Sequence, residues 1–249
     1  MKVSVITVCL NCENSIEQAL KSVAEQLNVD IEHIVIDGAS TDNTLKIISI
    51  YQRTQLVLQS EPDEGIYDAM NKGLAISTGE VICFLNADDH YVSKSTLASV
   101  VDQMREFELD VLLADVHFFK PNSRNKPIRR YRAQNFDPNY LAWGWMPAHP
   151  AMFVRKIVYD KVGLYDKSFR IAGDYDWIIR AFRTSDLRYK HLPKVVVNMQ
   201  TGGVSTRGLA STLLLNKEVI RACRKNNIYT NWLMILSKYP KKLVEFFIK

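Results

Sequence analysis

Four short apolar runs, separated by segments of helical periodicity, fill the first ninety residues, and this alternation restricts the fold more than any other feature. Residues 3–8 form a β-branched run that reads as a buried strand. Asn14-Ser15 then caps a segment with Ile16, Leu20, Val23 and Leu27 at helical spacing. Residues 31–36 are a second strand ending on Asp37-Gly38, and Ser40-Thr41-Asp42 offers caps for a helix carrying Leu45, Ile47 and Ile48. Residues 56–58 read as a third strand and 67–76 as a helix closed by Ser77-Thr78-Gly79. Residues 80–85 read as a fourth strand that terminates on Asn86-Ala87-Asp88-Asp89. The order predicts a doubly wound parallel sheet, which binds ligands in the crevice beyond the carboxyl ends of its strands. Asn11, Asp37, Asp63 and the Asp88-Asp89 pair fall at those ends.

The second half is less regular. Residues 120–132 are polar and basic, with Pro121 and Pro127, and read as a loop or hairpin; Trp143-Gly144-Trp145-Met146-Pro147 is aromatic and turn-rich. Helices are expected over 154–162 and over 175–183, the latter opened by Asp174, and a late strand over 191–199. Thr201-Gly202-Gly203-Val204-Ser205 reads as a flexible loop, followed by two helices divided near Pro240. The division expected is a main domain over 1–210 and a C-terminal helical, basic, amphipathic segment over 211–249.

Charge and cysteine content narrow the function classes. The net charge of +5 suits an anionic ligand or membrane surface, whereas nucleic acid usually demands denser basic charge. Residues 217–249 hold eight basic and two acidic side chains, so the remainder is close to neutral. Cys9, Cys12, Cys83 and Cys223 are too scattered for a zinc site, and Cys9 and Cys12 follow a strand instead of opening a redox helix; they read as reduced thiols. No signal-type apolar region precedes the first strand, and no run approaches the roughly 20 residues of a membrane span, so a cytoplasmic or peripheral protein is expected.

Two acidic clusters carry the chemistry. Uncompensated burial of adjacent charges is too costly, so Asp88-Asp89 must be solvated, used in a turn or cap, or bound to a cation. A hard divalent ion takes one or two carboxylates plus phosphate oxygens and water, which would neutralise a departing diphosphate. In the turn 37–42, one or more of Ser40, Thr41 and Asp42 can cap the next helix, while Asp37 could accept from a base N–H or a ribose hydroxyl. No glycine-rich dinucleotide or P-loop fingerprint is present, which argues against a dinucleotide cofactor and P-loop phosphoryl transfer.

Together these pieces resemble the family-2 glycosyltransferases of the GT-A fold, a Rossmann-like nucleotide-binding mixed sheet flanked by helices. The resemblance runs from Ser4 to about Ser205. It rests on Val5-Ile-Thr-Val-Cys-Leu-Asn11, on Glu32-His-Ile-Val-Ile-Asp37-Gly-Ala-Ser-Thr-Asp42, and on Ser60-Glu-Pro-Asp63-Glu-Gly-Ile-Tyr-Asp68-Ala-Met-Asn71-Lys-Gly73 through Phe84-Leu-Asn-Ala-Asp88-Asp89. The third block is similar to bacterial enzymes that build surface polysaccharides. The resemblance implies that Thr7 and Asp37 line the nucleobase pocket and that Asp68 and Asn71 line the donor site, unless they serve helix packing. It places Asp88 at the ribose or metal side of the donor, and Asp89 on Mn²⁺ or Mg²⁺ through the diphosphate. The family's later acidic motif matches Ala172-Gly173-Asp174-Tyr175-Asp176-Trp177, with Gly where Glu is common. Asp174 is therefore the expected base, with Asp176 as competitor and simple N-capping as the other role for Asp174.

His149 falls near the acceptor side, or is structural. Trp143 and Trp145 would stack on a sugar or pack the core. The implied reaction is a single in-line displacement with inversion, from a nucleotide-sugar (UDP by default) to a glycan or lipid-linked hydroxyl. Ile228, Trp232, Ile235, Leu236, Tyr239, Leu243, Phe246 and Phe247 fall at helical spacing among lysines. That stripe would lie on an anionic bilayer, or pack on the domain or a second subunit. Two rival readings are a nucleotidyltransferase, whose glycine-rich basic signature is absent near the first strand, and a non-catalytic nucleotide-sugar-binding scaffold of the same fold.

Overall fold

A computed structural model describes residues 1–51, 56–120, 127–184, 186–202 and 208–239. The alternating first half folds as its periodicity dictates: β1 (Lys2–Cys9), α1 (Ile16–Ala24), β2 (Asp30–Asp37), α2 (Thr44–Tyr51), β3 (Leu56–Ser60), α3 (Ile66–Ile76) and β4 (Val81–Phe84). From Val3 to Cys9 every residue of β1 is buried, as expected of a central parallel strand covered on both faces. It pairs in parallel with β2 on one side and β4 on the other, and β3 follows β2. Asp42 caps α2 by accepting from the Thr44 N–H at 2.9 Å. Ser15 precedes α1 at the N-cap position but makes no capping bond with its side chain.

Beyond β4 the sheet becomes mixed. A two-residue strand β5 (His90–Tyr91), helix α4 (Thr96–Glu106), and strands β6 (Val111–Phe119), β7 (Arg129–Tyr131) and β8 (Met152–Arg155) lead to α5 (Lys156–Val162), α6 (Gly173–Thr184) and β9 (Tyr189–Gln200). The order is β3-β2-β1-β4-β8-β6-β9-β5, with β7 also on β6. β8 runs antiparallel to both β4 and β6, while β6 and β9 are parallel. Val154 and Arg155, expected at the start of a helix, instead pair with Ile82 and Val81, and the helix begins at Lys156. Strand β6 went unforeseen. Its first six residues are all buried, which hides any alternation, and Asp115 interrupts its apolar run. That carboxylate is satisfied internally, by Arg130 on β7 at 2.6 Å and His191 on β9 at 2.7 Å.

Helices cover both faces of the sheet. One core joins Val3, Val5, Val81 and Leu112 to α1 and α4. The other joins Ile6, Ile34 and Phe84 to α3, α5, α6 and the C-terminal helix α7 (Gly208–Lys225). The boundary expected at 210/211 therefore falls inside α7, whose Val219, Ile220, Ala222 and Cys223 belong to the main core. The break between the last two helices lies at residues 226–231, where Asn231 caps α8 (Trp232–Leu236) by accepting from Met234 N–H. Pro240, expected to divide them, lies outside the described residues, as do residues 203–205 of the expected loop and the 243–247 end of the amphipathic stripe.

Candidate active site

The carboxyl ends of β1, β2 and β4 bring the first cluster together. Asp37 ends β2 fully buried, and its carboxylate accepts from Ser40 N–H at 2.9 Å, Ser40 Oγ at 2.5 Å and Ser60 Oγ at 2.7 Å. In the unliganded chain these bonds shape the turn. The turn is tightly built. Ala39 and Asn11 both adopt left-handed backbone (φ 63° and 51°), and Asn11 Oδ1 accepts from Thr41 N–H across the two loops. At Gly38 a β-carbon would stand 2.5 Å from Asp63 Oδ2, so the absent side chain is what lets that acidic loop close in. Thr7 is likewise fully buried, with its hydroxyl 3.0 Å from His33 Nε2. Cys9 and Cys12 are free thiols, and burial raises both.

Asp88 and Asp89 follow β4 on opposite footings. Asp88 lines an opening shared with Gln18, His90, Phe119, Lys120, Asn198, Met199 and Gln200. Asp89, 2% exposed, accepts from Gln200 N–H and Asn86 Nδ2, each at 3.0 Å. Burial, and then the neighbouring Asp88 charge, push its carboxyl well above the usual range. A buried carboxylate whose charge is disfavoured in this way, beside a second one, is suited to a cation. No group of three or more His, Cys, Asp or Glu able to hold a metal occurs among the described residues. Asp88 at the opening and Asp89 beside it are oxygen donors of the kind a hard divalent ion takes together with phosphate oxygens and water.

The second cluster lies at the start of α6. Asp174 is half-buried, and burial raises its carboxyl above the usual range, with His149 opposing the shift. Its Oδ1 accepts from Tyr175 N–H at 2.8 Å and from Tyr67 hydroxyl at 3.2 Å. Asp176 faces the other way. It is fully buried, accepts from Arg180 Nε at 3.0 Å and Asn226 Nδ2 at 2.9 Å, and lies 3.3 Å from Lys225 Nζ. Two residues along a helix point to different faces, and Asp176 is committed to tying α6 to α7. Asp174, not Asp176, is the carboxylate left partly exposed at this helix start.

The remaining expected residues are mostly braces. Asn71 exchanges two 2.9 Å hydrogen bonds with the Tyr165 backbone, which is the helix-packing role. Asp68 accepts from Glu64 N–H at 3.1 Å and pairs with Lys167 at 3.0 Å, beside an opening lined by Tyr67, Lys167, Phe169 and Arg170. His149 is buried, stacks on Phe84 (centroids 5.1 Å apart) and sits 2.9 Å from Tyr165 hydroxyl; burial lowers its pKa, so the ring is neutral. It stands in an aromatic layer behind Asp174, away from solvent. Trp143 is exposed and Trp145 partly so.

Two residues that matter to this geometry had been passed over. Glu218 on α7 is 7% exposed and accepts three consecutive backbone N–H groups: Arg170 at 2.9 Å, Ile171 at 2.8 Å and Ala172 at 2.9 Å. It thereby clamps the loop that delivers Asp174. The signal was its place in the stripe Leu215, Glu218, Val219, Ala222, where a carboxylate must find buried donors. Tyr67 is the other, and it occupies the space over Gly173.

The chain is 32% identical over 222 residues to a PGL/p-HBAD biosynthesis glycosyltransferase of Mycobacterium bovis, covering 88% of this chain and 82% of that protein. Residues 1–349 of S. aureus TarS, in complex with UDP-GlcNAc, superpose with TM-score 0.69 at 22% identity, over 89% of this chain and 66% of that one. The mannosyltransferase PcManGT from Pyrobaculum calidifontis, with GDP-Man and Mn²⁺, superposes with TM-score 0.66 at 21% identity, over 90% and 63%. The fold is thus the GT-A fold expected from the motifs. Residues 4–163 match the sequence model "Glycosyl transferase family 2", and the chain belongs to that family.

Proposed function

We propose that this glycosyltransferase works with inversion. It would move a hexosyl or N-acetylhexosaminyl group from a nucleotide-diphosphate donor to a hydroxyl of a glycan or lipid-linked acceptor in bacterial surface polysaccharide synthesis (O-antigen, capsule or exopolysaccharide). The observation that carries the reading is Asp174. It is a partly exposed carboxylate made more basic by burial, with Oδ1 anchored by Tyr175 N–H and Tyr67 hydroxyl. Asp174 Oδ2 takes the proton of the acceptor hydroxyl as that oxygen bonds to the anomeric carbon, while the bond from the anomeric carbon to the diphosphate breaks on the opposite face. One carboxylate suffices, because no covalent sugar intermediate forms. Mn²⁺ or Mg²⁺, when bound, supplies positive charge to the departing diphosphate, and Asp88 and Asp89 would hold it. UDP is the default nucleotide, supported by the UDP-GlcNAc complex of TarS; the GDP-Man complex of PcManGT keeps GDP in the screen.

Attachment to an anionic bilayer is part of the proposal. No helix among the described residues is long and apolar enough to cross a membrane. Ile235 packs into the main core and Ile228 against it, so the expected amphipathic stripe does not form one face. Tyr229 and Leu233, however, are 79% and 82% exposed, next to exposed Trp232 and Leu236. Tyr140 and Trp143 are exposed on the segment that Thr230 and Ile235 pack against. Exposed aromatic and leucine side chains suit an interfacial contact that would bring the enzyme to a lipid-linked acceptor.

The test is release of nucleoside diphosphate from a panel of UDP-, GDP- and dTDP-sugars with Mn²⁺ or Mg²⁺, with and without EDTA. Metal-dependent release from one donor, abolished in Asp89→Ala, is expected. Binding without turnover of any donor would move the non-catalytic scaffold reading to the front.

A further inference from the structure

Gly173 and Tyr67 are a matched pair. A β-carbon built on Gly173 would lie 2.7 Å from Tyr67 Cε2 and 2.8 Å from its Cδ2 and Cζ, so any larger residue requires the ring to leave. The ring cannot move freely. It is 4% exposed, stacks on Tyr165 at 5.9 Å, and belongs to the core that joins α3 to α6. Its hydroxyl stands 2.6 Å from Ile171 carbonyl and 3.2 Å from Asp174 Oδ1. One hydroxyl proton thus faces two acceptors on either side of the same loop. With Asp174 ionised, the proton is shared between them. With Asp174 protonated, it rests on Ile171 and the carboxyl is no longer an acceptor.

We infer that Tyr67 is a positioning residue for the transfer reaction: it fixes Asp174 by Oδ1 so that Oδ2 faces the incoming acceptor hydroxyl, and Gly173 is the residue that admits it. The inference rests on the reading of Asp174 as base. It also accounts for glycine at the position where the family commonly carries glutamate, since the tyrosine fills the space that a side chain would need.

Tyr67→Phe tests it, because the ring that packs over Gly173 is retained and only the hydroxyl is lost. In the metal-loaded full chain, kcat should fall about five- to tenfold with the donor KM unchanged. The acid limb of the kcat–pH profile should move upward, because the carboxylate loses a donor that favours its charged form. Gly173→Ala, which displaces the ring and keeps the hydroxyl, should lower kcat in the same way. A packing role alone would change the melting temperature and leave the acid limb where it is, which overturns the inference. Asp174→Asn separates the two levels. If that variant still transfers sugar, the base assignment falls and takes the role of Tyr67 with it. If it is inactive while Tyr67→Phe keeps the wild-type profile, only the role of Tyr67 is overturned.

Discussion

Replacing Glu218 by glutamine is the most discriminating change outside the crevice, because it is almost isosteric and acts through three backbone donors. The carboxylate accepts from Arg170 with Oε1 and from Ile171 and Ala172 with Oε2, all at 2.8–2.9 Å. A carboxamide with its oxygen at the Oε2 position keeps two of these as weaker neutral bonds and turns an N–H₂ towards the Arg170 N–H. Losing one hydrogen bond to a charged group, worth about 1.5–3 kcal/mol, and weakening two others is partly offset by burying a neutral side chain in place of an ion. A net cost of about 2–3 kcal/mol therefore falls on residues 170–172. Because α6 itself stays anchored by Trp177 and Ile178 in the core, that cost acts on the loop. A shift of this size changes the loop's equilibrium about 30- to 150-fold. The expected result is a kcat at least tenfold lower in the nucleoside-diphosphate release assay, with the donor KM within twofold. Unchanged kcat, or a rise in donor KM alongside general unfolding, would refute the argument that Glu218 holds the base.

Three further outcomes follow from groups described above. Asp176→Ala leaves Arg180 and Lys225 without their buried partner and should cost about 3–5 kcal/mol of stability in denaturant unfolding. It should leave the acid limb of kcat in place; a shifted limb would return Asp176 to the catalytic side. Asp89 binds its proton more tightly in the folded chain than in the unfolded one, so its ionised form destabilises the metal-free protein at neutral pH. Asp89→Asn should accordingly raise the melting temperature in EDTA at pH 7. That gain should fade as the pH falls into the ordinary carboxylate range, where the wild type is protonated in both states; a lower melting temperature at pH 7 would contradict the burial penalty. Leu233→Asp combined with Tyr229→Asp should cut binding to phosphatidylglycerol vesicles tenfold or more without changing thermal stability, and equal sedimentation would rule out this surface as the contact.

What could be read from the sequence divides along physical lines. The β1 to β4 half was legible because central parallel strands must be continuously apolar and their crossover helices amphipathic, patterns that each segment carries within itself. β6 was not, since its stability comes from β8 and β9 on either side and its Asp115 is made acceptable only by Arg130 and His191. The site shows the same division. Asp174 is the expected base and Asp176 its competitor as text, whereas the ion pair that ties Asp176 to Lys225 depends on the packing of α7 against α6. Asp37 and Thr7 were recognisable as motif residues, yet their bonds to Ser40, Ser60 and His33 depend on side chains that meet across strands. Glycine at 173 looked like a missing acid until the Tyr67 ring was found in its place.

The clamp on residues 170–172 also bears on how the protein comes into being on the ribosome. Ile171 is gripped by a side chain 47 positions downstream, and Asp89 accepts from a backbone N–H 111 positions downstream. A nascent chain that has delivered residues 4–163 carries the whole segment by which its family is known. At that point Asp89 still lacks its Gln200 donor, and Ile171 and Asp174 have yet to be added. Fixing of the Asp174 loop waits for α7 to emerge and dock, so catalytic competence is a late acquisition in the life of each molecule.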